Sequence, residues 1–413
     1  MVPITSTIEQ SNNLKYFSIT MKGRHLILLA LLSLTTACGC QQDGQSDQER
    51  ALQVICQQVG YQVKLIEQSG RMLNPRTVEN GHVLYVSDDD WTSGFFPGTM
   101  WLISDLTGDT AWLSYARRYT QALDSVKYLR WHHDIGFMIN CSFGNAYHAT
   151  HDEAYAGVML EAARSLVTRF RPAAGVLQSW DEDRGWQGER GWMCPVIIDN
   201  MMNLELLFKA TCISGDSTFY RLAVSHADQT LNNHFRADGS CYHVVDYDKQ
   251  VGGVRSRQTA QGYADHSAWA RGQAWALYGF AVCYRYTGDE RYLDQCRRSH
   301  DFIFGDENMP ADLVPYWDYD APNIPNEPRD ASSAAIIASA LYELAQYIPE
   351  YRAEADSIMH SLCSPAYLAL VGTNGNFVLM HSVGSIPHDS EIDVPLNYAD
   401  YYFIEALLRK QGR

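Results

Sequence analysis

The chain of 413 residues is poor in basic side chains: 32 Lys and Arg stand against 48 Asp and Glu, a formal charge of −16 at pH 7. Nothing in that balance resembles the footprint of a nucleic-acid binder, so nucleic acid is excluded as a partner. No Walker loop, no HExxH pair and no nucleophilic serine elbow occurs. Their absence removes P-loop nucleotide hydrolysis, zinc peptidase chemistry and α/β-hydrolase chemistry. Cysteines beyond residue 50 (56, 141, 194, 212, 241, 283, 296 and 363) are scattered and form no CxxC pair. Zinc spacing is therefore missing, and they read as small buried hydrophobes. Pro, Gly and Ser nowhere gather into an internal linker, so a single domain is expected over 51–413.

One apolar run, "LILLALLSLTTAC", follows a short basic head of Met21, Lys22, Arg24 and His25. It is too short for a comfortable membrane span and reads as an export signal. Because it ends in small residues and Cys38, with Cys40 two further on, it resembles a bacterial lipoprotein signal. Lipid anchoring at one of those cysteines and plain signal cleavage both stand as expectations, and either places the mature protein in the periplasm or at the outer membrane of a bacterium. Residues 1–20 read as an upstream mis-start, 21–40 as the signal and 41–50 as a polar tether.

What the sequence has is a repeat. "LTGDTAWLSYA" from 106, "ISGDSTFYRLA" from 213 and "YTGDERYLDQC" from 286 share a Gly-Asp pair. Gly closes one helix in the left-handed conformation and Asp caps the next, which makes each a tight turn between antiparallel helices. "YIPEYRAEA" from 347 is a fourth, with Pro and Glu in those roles. Before each turn runs an apolar helix of about four turns: "SGFFPGTMWLISDL", "DNMMNLELLFKATCI", "ARGQAWALYGFAVCYRY" and "DASSAAIIASALYELAQY". "DEAYAGVMLEAARSLVTRF" and "NYADYYFIEALLRK" have the same form without the Gly-Asp ending. Six such helices alternating with second helices predict an all-α (α/α)6 barrel, six inner helices lining a cavity and six outer ones wrapping it. Polar clusters at the inner helices' starts then converge on one rim, where a site is expected. A short strand is expected at "CYHVVDYDK", whose residues alternate.

The stretch "IIDNMMNLELL", 197–207, sets Asp199 among apolar neighbours at the head of an inner helix. An aspartate is costly to bury alone. Either it caps the helix, where the dipole welcomes it, or it carries a proton with a pKa raised by its apolar flank. Asp134, in "WHHDIGFMIN", lies in the loop approaching the "HDEAYAGVML" helix and is a turn residue or a second cavity acid. Two carboxylates on one cavity suit acid and base work on a sugar. Arg271 and Trp275 are four apart and share a helix face. They offer a planar fork for a carboxylate and a flat face for a pyranose; the plain alternative for Arg271 is a buried ion pair with Asp265 or another acid. Thr259, Gln261 and Tyr263 add hydrogen-bonding groups at the same rim. His243 either bonds substrate or sits satisfied between neighbours. Trp91, Trp131, Trp180, Trp186 and Trp192 fall in rim loops, each as packing or platform, and together they favour carbohydrate.

Six motifs run in order from 88 to 409: "DDDWTSGFFPGTMWL", "HHDIGFM", "IIDNMMNLELL", "QGYADHSAWARGQAWALYG", "PRDASSAAIIASALYEL" and "PLNYADYYFIEALL". Together they resemble the glycoside hydrolase family 88 unsaturated glucuronyl hydrolases. The resemblance implies an (α/α)6 barrel and an exo-acting enzyme that removes the 4,5-unsaturated uronic acid from the nonreducing end of lyase-made oligosaccharides, with glycosaminoglycan fragments expected. It implies hydration of the C4=C5 vinyl ether rather than the displacement at the anomeric carbon used by two-carboxylate glycosidases, and no metal or organic cofactor. Through it Asp199 becomes general acid and base, Asp134 its partner acid, and Trp180, His243, Thr259, Gln261, Arg271 and Trp275 sugar contacts. Arg257 departs from the family pattern, where a smaller residue such as glycine is expected. Arg257 or Arg255 is accordingly expected to meet a sulfate on the next sugar. Two rivals remain: an unsaturated rhamnogalacturonyl hydrolase acting on pectin fragments, and a surface lipoprotein that binds oligosaccharide without cleaving it.

Overall fold

The computed structural model describes residues 46–413. Ser46 accepts the Glu49 N–H at 3.2 Å, and the Glu49 carboxylate accepts the Ser46 N–H at 2.8 Å. This reciprocal box starts helix α1 (Asp47–Ser69), so ordered helix begins inside the stretch read as a tether. The export signal and the lipid anchor or cleavage site expected at 21–40 lie outside the described residues.

In chain order α1 is followed by α2 (Phe95–Thr107), α3 (Ala111–Ala122), α4 (Ile135–Ile139) and α5 (Asn145–Thr150), the last two joined by a π-helical turn, Asn140–Gly144. Then come α6 (Glu153–Val167), α7 (Leu204–Ser214), α8 (Ser217–Asn233) and α9 (Ala270–Thr287). The last four are α10 (Glu290–Gly305), α11 (Ala331–Leu344), α12 (Tyr351–Leu362) and α13 (Asn397–Lys410). α2, α4 with α5, α7, α9, α11 and α13 pack side by side in that order, and α13 returns against α2 to close the ring. The other six lie outside, which makes an (α/α)6 barrel. Inner α11 is buried at every residue, whereas outer α10 buries one stripe around Tyr292, Cys296 and Ile303.

The Gly-Asp turns do what their residue types require. Gly108, Gly215 and Gly288 have φ of 72°, 73° and 66°, in the left-handed region. Asp109, Asp216 and Asp289 accept backbone N–H groups two residues on, at 2.8–3.0 Å. At the fourth turn Glu350 makes no side-chain cap bond. One inner helix is misassigned by the sequence pattern. "DEAYAGVML" is outer α6, and the inner position belongs to α4 and α5, so Asp134 heads an inner helix itself. The turn between them escaped notice because His151, at φ 53°, stands where the repeat has Gly; Asp152 caps α6 as the aspartates of the Gly-Asp turns cap theirs. The π-helical turn also breaks the 3.6-residue period.

A three-stranded antiparallel sheet (Pro195–Ile197, Val244–Tyr247, Val254–Gln258) lies at the rim and includes the strand expected at "CYHVVDYDK". A hairpin (Ser382–Ser385, Ser390–Val394) faces the cavity. The eight cysteines among the described residues are free; six are buried, Cys56 is half-buried and Cys212 is exposed.

Beneath the rim the barrel is filled. Phe95, Trp275, Tyr398, Tyr401 and Tyr402 pack ring against ring and are all buried. At the other end of the inner helices a chain of ion pairs crosses four of them. Lys209–Glu205 (3.2 Å), Glu205–Arg285 (2.7 Å), Arg285–Glu343 (3.1 Å), Glu343–Arg409 (2.9 Å) and Arg409–Glu405 (3.9 Å) link α7, α9, α11 and α13. Asn140 in the π-helical turn joins it, donating to Glu205 and accepting from Lys209.

Candidate active site

The strand Pro195–Ile197 runs into a 3-10 turn, Ile198–Asn203, which feeds α7. Asp199 sits on that turn. Neither the turn nor α7 has a side-chain cap bond, so capping does not account for this carboxylate. Its side chain is 13% exposed, and Oδ2 is buried without a hydrogen-bond partner. Burial pushes the carboxyl up to about 7, against the pull of the Arg271 charge. At the head of α4, burial pushes Asp134 up to about 8, against a hydrogen bond from Asn203 and with the Asp199 charge adding to the rise.

Asn203 ties the elements carrying the two acids together. Its Oδ1 accepts the Phe137 N–H at 2.9 Å, which orients the amide. Nδ2 then donates to Asp134 Oδ1 at 3.1 Å and to Asn200 Oδ1 at 3.0 Å. Gly136 permits the approach: a Cβ there would stand 2.5 Å from Asn203 Cα.

His243 lies behind Asp199, with Nε2 3.7 Å from Oδ2. Two backbone N–H groups, of Ala260 (3.0 Å) and Gln261 (3.2 Å), donate to Nδ1. The ring's own proton is therefore on Nε2 and faces the acid. Burial holds the imidazole well below its ordinary pKa, so it stays neutral.

Asp134, Asp199, Trp180, Gln261 and Arg271 line one cavity of about 320 Å³. Arg271 is gripped by the Val383 carbonyl, by the Gly384 carbonyl at 2.7 Å and by Gln261 Oε1 at 2.8 Å. Its ion partner is Asp330, at 3.4 Å, and its guanidinium lies 4.5 Å over the Trp269 ring. Thr259 sits one layer back, its hydroxyl accepting the Gly262 N–H. Trp275 is fully buried between Phe137 and Tyr402 and has no open face for a sugar. Its indole N–H, with no other partner, faces Asp199 and favours the ionised form.

Arg257 is a correction. Strand alternation puts Arg255 and Arg257 on one face, and neither lines the cavity. Arg257 Nε donates to the Asn233 carbonyl at 2.8 Å, and Arg255 pairs with Asp246 at 2.5 Å. The expected sulfate contact is withdrawn. Replacing both by Ala is expected to leave the ratio of sulfated to unsulfated disaccharide turnover unchanged within about twofold, because rim charges beyond contact range are screened. Rates on matched disaccharide pairs check this, and a larger change would restore the arginines to the site.

The sequence model of glycosyl hydrolase family 88 matches residues 69–402. The chain belongs to glycoside hydrolase family 88. An unsaturated glucuronyl hydrolase of Formosa agariphila is 46% identical over 79% of this chain and 81% of its own. An unsaturated chondroitin disaccharide hydrolase of Streptococcus pneumoniae is 30% identical over 81% and 85%. Among solved structures, an unsaturated glucuronyl hydrolase specific for heparin is 42% identical, with a TM-score of 0.83 over 88% of this chain and 97% of that one. The binding-only rival is set aside: this is a family 88 enzyme.

One wall of this family 88 site escaped the sequence reading. The hairpin at 382–394 brings Gly384, Ser385, His388 and Glu391 to the cavity, and Arg76 joins from the strand Asn74–Glu79. Arg76 grips Glu391 through Nε (2.6 Å) and Nη2 (2.9 Å) and Asp90 through Nη1 (2.9 Å). Alternation in "HSVGSIPHDSEIDV" was the available signal. Among the described residues, His132, His133 and Asp134 form the one group close enough to hold a metal ion. His132 Nδ1, however, already accepts the Asp134 N–H at 3.1 Å, so the donor set is incomplete.

Proposed function

We propose that this family 88 enzyme releases the 4,5-unsaturated uronic acid from the nonreducing end of lyase-made oligosaccharides, with glycosaminoglycan fragments as substrates. The observation that carries the reading is the Asp199 carboxyl: buried, without a partner at Oδ2, and raised to about 7 on a cavity wall. Relatives named for unsaturated glucuronyl and chondroitin disaccharide hydrolysis, and one specific for heparin, support the substrate class. The basic head and apolar run at 21–40 support export, by lipid anchoring or signal cleavage.

In this mechanism Asp199 protonates C4 of the vinyl ether, and positive charge develops at C5 and the ring oxygen. The carboxylate then takes a proton from the water that adds to C5. Asp199 ends as it began, one water is consumed, and the hemiketal opens so that the glycosidic bond breaks without attack at the anomeric carbon. His243 Nε2–H stabilises the carboxylate that exists midway. Arg271 and Arg76 place positive charge on the cavity wall, where it offsets the uronate.

Because Asp199 must carry a proton at the outset, kcat/KM is expected to be level below about pH 7 and to fall above it. A second, steeper break is expected near pH 8, as the coupled pair loses its second proton from Asp134. Loss of the ultraviolet absorbance of the conjugated double bond, followed with an unsaturated disaccharide from pH 5 to 9, measures both. A rate that rises through pH 7 would contradict the assignment.

A further inference from the structure

We propose that Asn203 is a positioning residue: a buried relay of two side-chain amides, Asn200 and Asn203, aims one N–H at Asp134 Oδ1 and so sets that carboxyl relative to Asp199. The kinetic consequence rests on the function proposed above; the placement of the carboxyl rests on the hydrogen bonds themselves.

Both amides are fully buried, and neither lines the cavity. Each is oriented by a backbone group that can act in one way only. On α4 the Phe137 N–H donates to Asn203 Oδ1 at 2.9 Å. On the short strand Val176–Leu177 the Leu177 carbonyl accepts from Asn200 Nδ2 at 2.8 Å. Asn200 Oδ1 therefore faces Asn203 and takes one of its N–H groups at 3.0 Å, which leaves the other for Asp134 at 3.1 Å. Turning the Asn203 amide over would set its oxygen against the Asn200 oxygen and its NH2 against the Phe137 N–H, two contacts between like groups in place of two hydrogen bonds. The relay has one direction, and it ends on the acid.

The local fold explains why these residues meet. In a 3-10 turn residues three apart eclipse, so on the turn Ile198–Asn203 the side chains of Asn200 and Asn203 stand one above the other. Asp199, one residue earlier than Asn200, points about 120° away from them and lines the cavity. The turn that presents one acid thus also presents the amide that holds the other. The Phe137 bond by itself joins α4 to this turn, so the N–H on Asp134 has the carboxyl as its only object.

Kinetics separate positioning from a merely structural strut. Because Asn203 does not touch substrate, Asn203→Ala is expected to lower kcat on an unsaturated disaccharide by about 10- to 100-fold with KM within about threefold of wild type. Combined with Asp134→Asn, it is expected to cost less than about threefold beyond Asp134→Asn alone, since it acts through that carboxyl. Asn203→Asp keeps the shape and an oxygen for the Phe137 N–H, but it copies the missing N–H only while it holds a proton. Its kcat relative to wild type is therefore expected to fall as pH is raised from 5 to 9. A folded Ala variant with kcat within threefold of wild type, or losses that multiply in the double variant, overturns the proposal. If the Ala variant does not fold, a kcat for Asn203→Asp that matches wild type across that range overturns it. In crystal structures of wild type and a folded variant, the Asp134 carboxyl is expected to turn from its place beside Asp199, and an unmoved carboxyl also overturns the proposal. If the chain turns over no unsaturated disaccharide, the proposed function falls while the crystal comparison still judges Asn203.

Discussion

Asp199→Asn is expected to abolish the loss of ultraviolet absorbance from an unsaturated disaccharide, with kcat lower by at least about 10³-fold. The amide keeps the shape of the side chain but gives no proton to C4 and takes none from water. Both halves of the reaction fail together, which is why the loss should exceed that of an ordinary binding residue. The same substitution should stabilise the fold. An Asp raised to about 7 in the folded protein, against an unperturbed value of 3.8, loses stability relative to the unfolded chain as pH rises between those two values. Asn has no charge to bury, so above pH 7 the variant should melt a few degrees higher than wild type. Calorimetry at pH 8 checks that. An inactive variant with a lowered melting temperature would assign Asp199 to structure instead.

Asp134→Asn is expected to cost about 10²- to 10³-fold in kcat/KM. Oδ1 of Asp134 sits between a donor, Asn203 Nδ2 at 3.1 Å, and His133 Nε2 at 3.2 Å. An amide in that place keeps the shape and can still accept from Asn203, but it neither ionises nor exchanges a proton beside Asp199. The disaccharide assay measures the loss, and turnover within threefold of wild type would remove Asp134 from the mechanism.

Local chemistry was legible in the sequence, and contacts between distant segments were not. Gly-Asp turns carry their geometry in two residues, so the barrel could be counted from them; the exception, His151, hid a turn and with it the inner helix that Asp134 heads. The apolar flank of Asp199 foretold its raised pKa because desolvation comes from the neighbours that strand and turn supply. Helical spacing correctly put Trp275 on the face of Arg271. It could not show that ring closure seals that tryptophan under the cavity. Arg271 finds its carbonyl partners 112 and 113 residues away, on a hairpin whose weak alternation went unread. For Arg257, strand position decided the matter, and a resemblance comparing residues one by one does not see which way a strand faces.

The ion-pair chain at the far end of the inner helices also determines how a polymer can be handled. Arg271 borders the cavity, while Arg285 in that chain lies 14 residues further along the same helix, about 21 Å deeper. Between them stands the aromatic packing around Trp275 and Tyr402. The socket is blind. A polysaccharide strand has no way to thread it, so a terminal sugar must enter and leave through the same door.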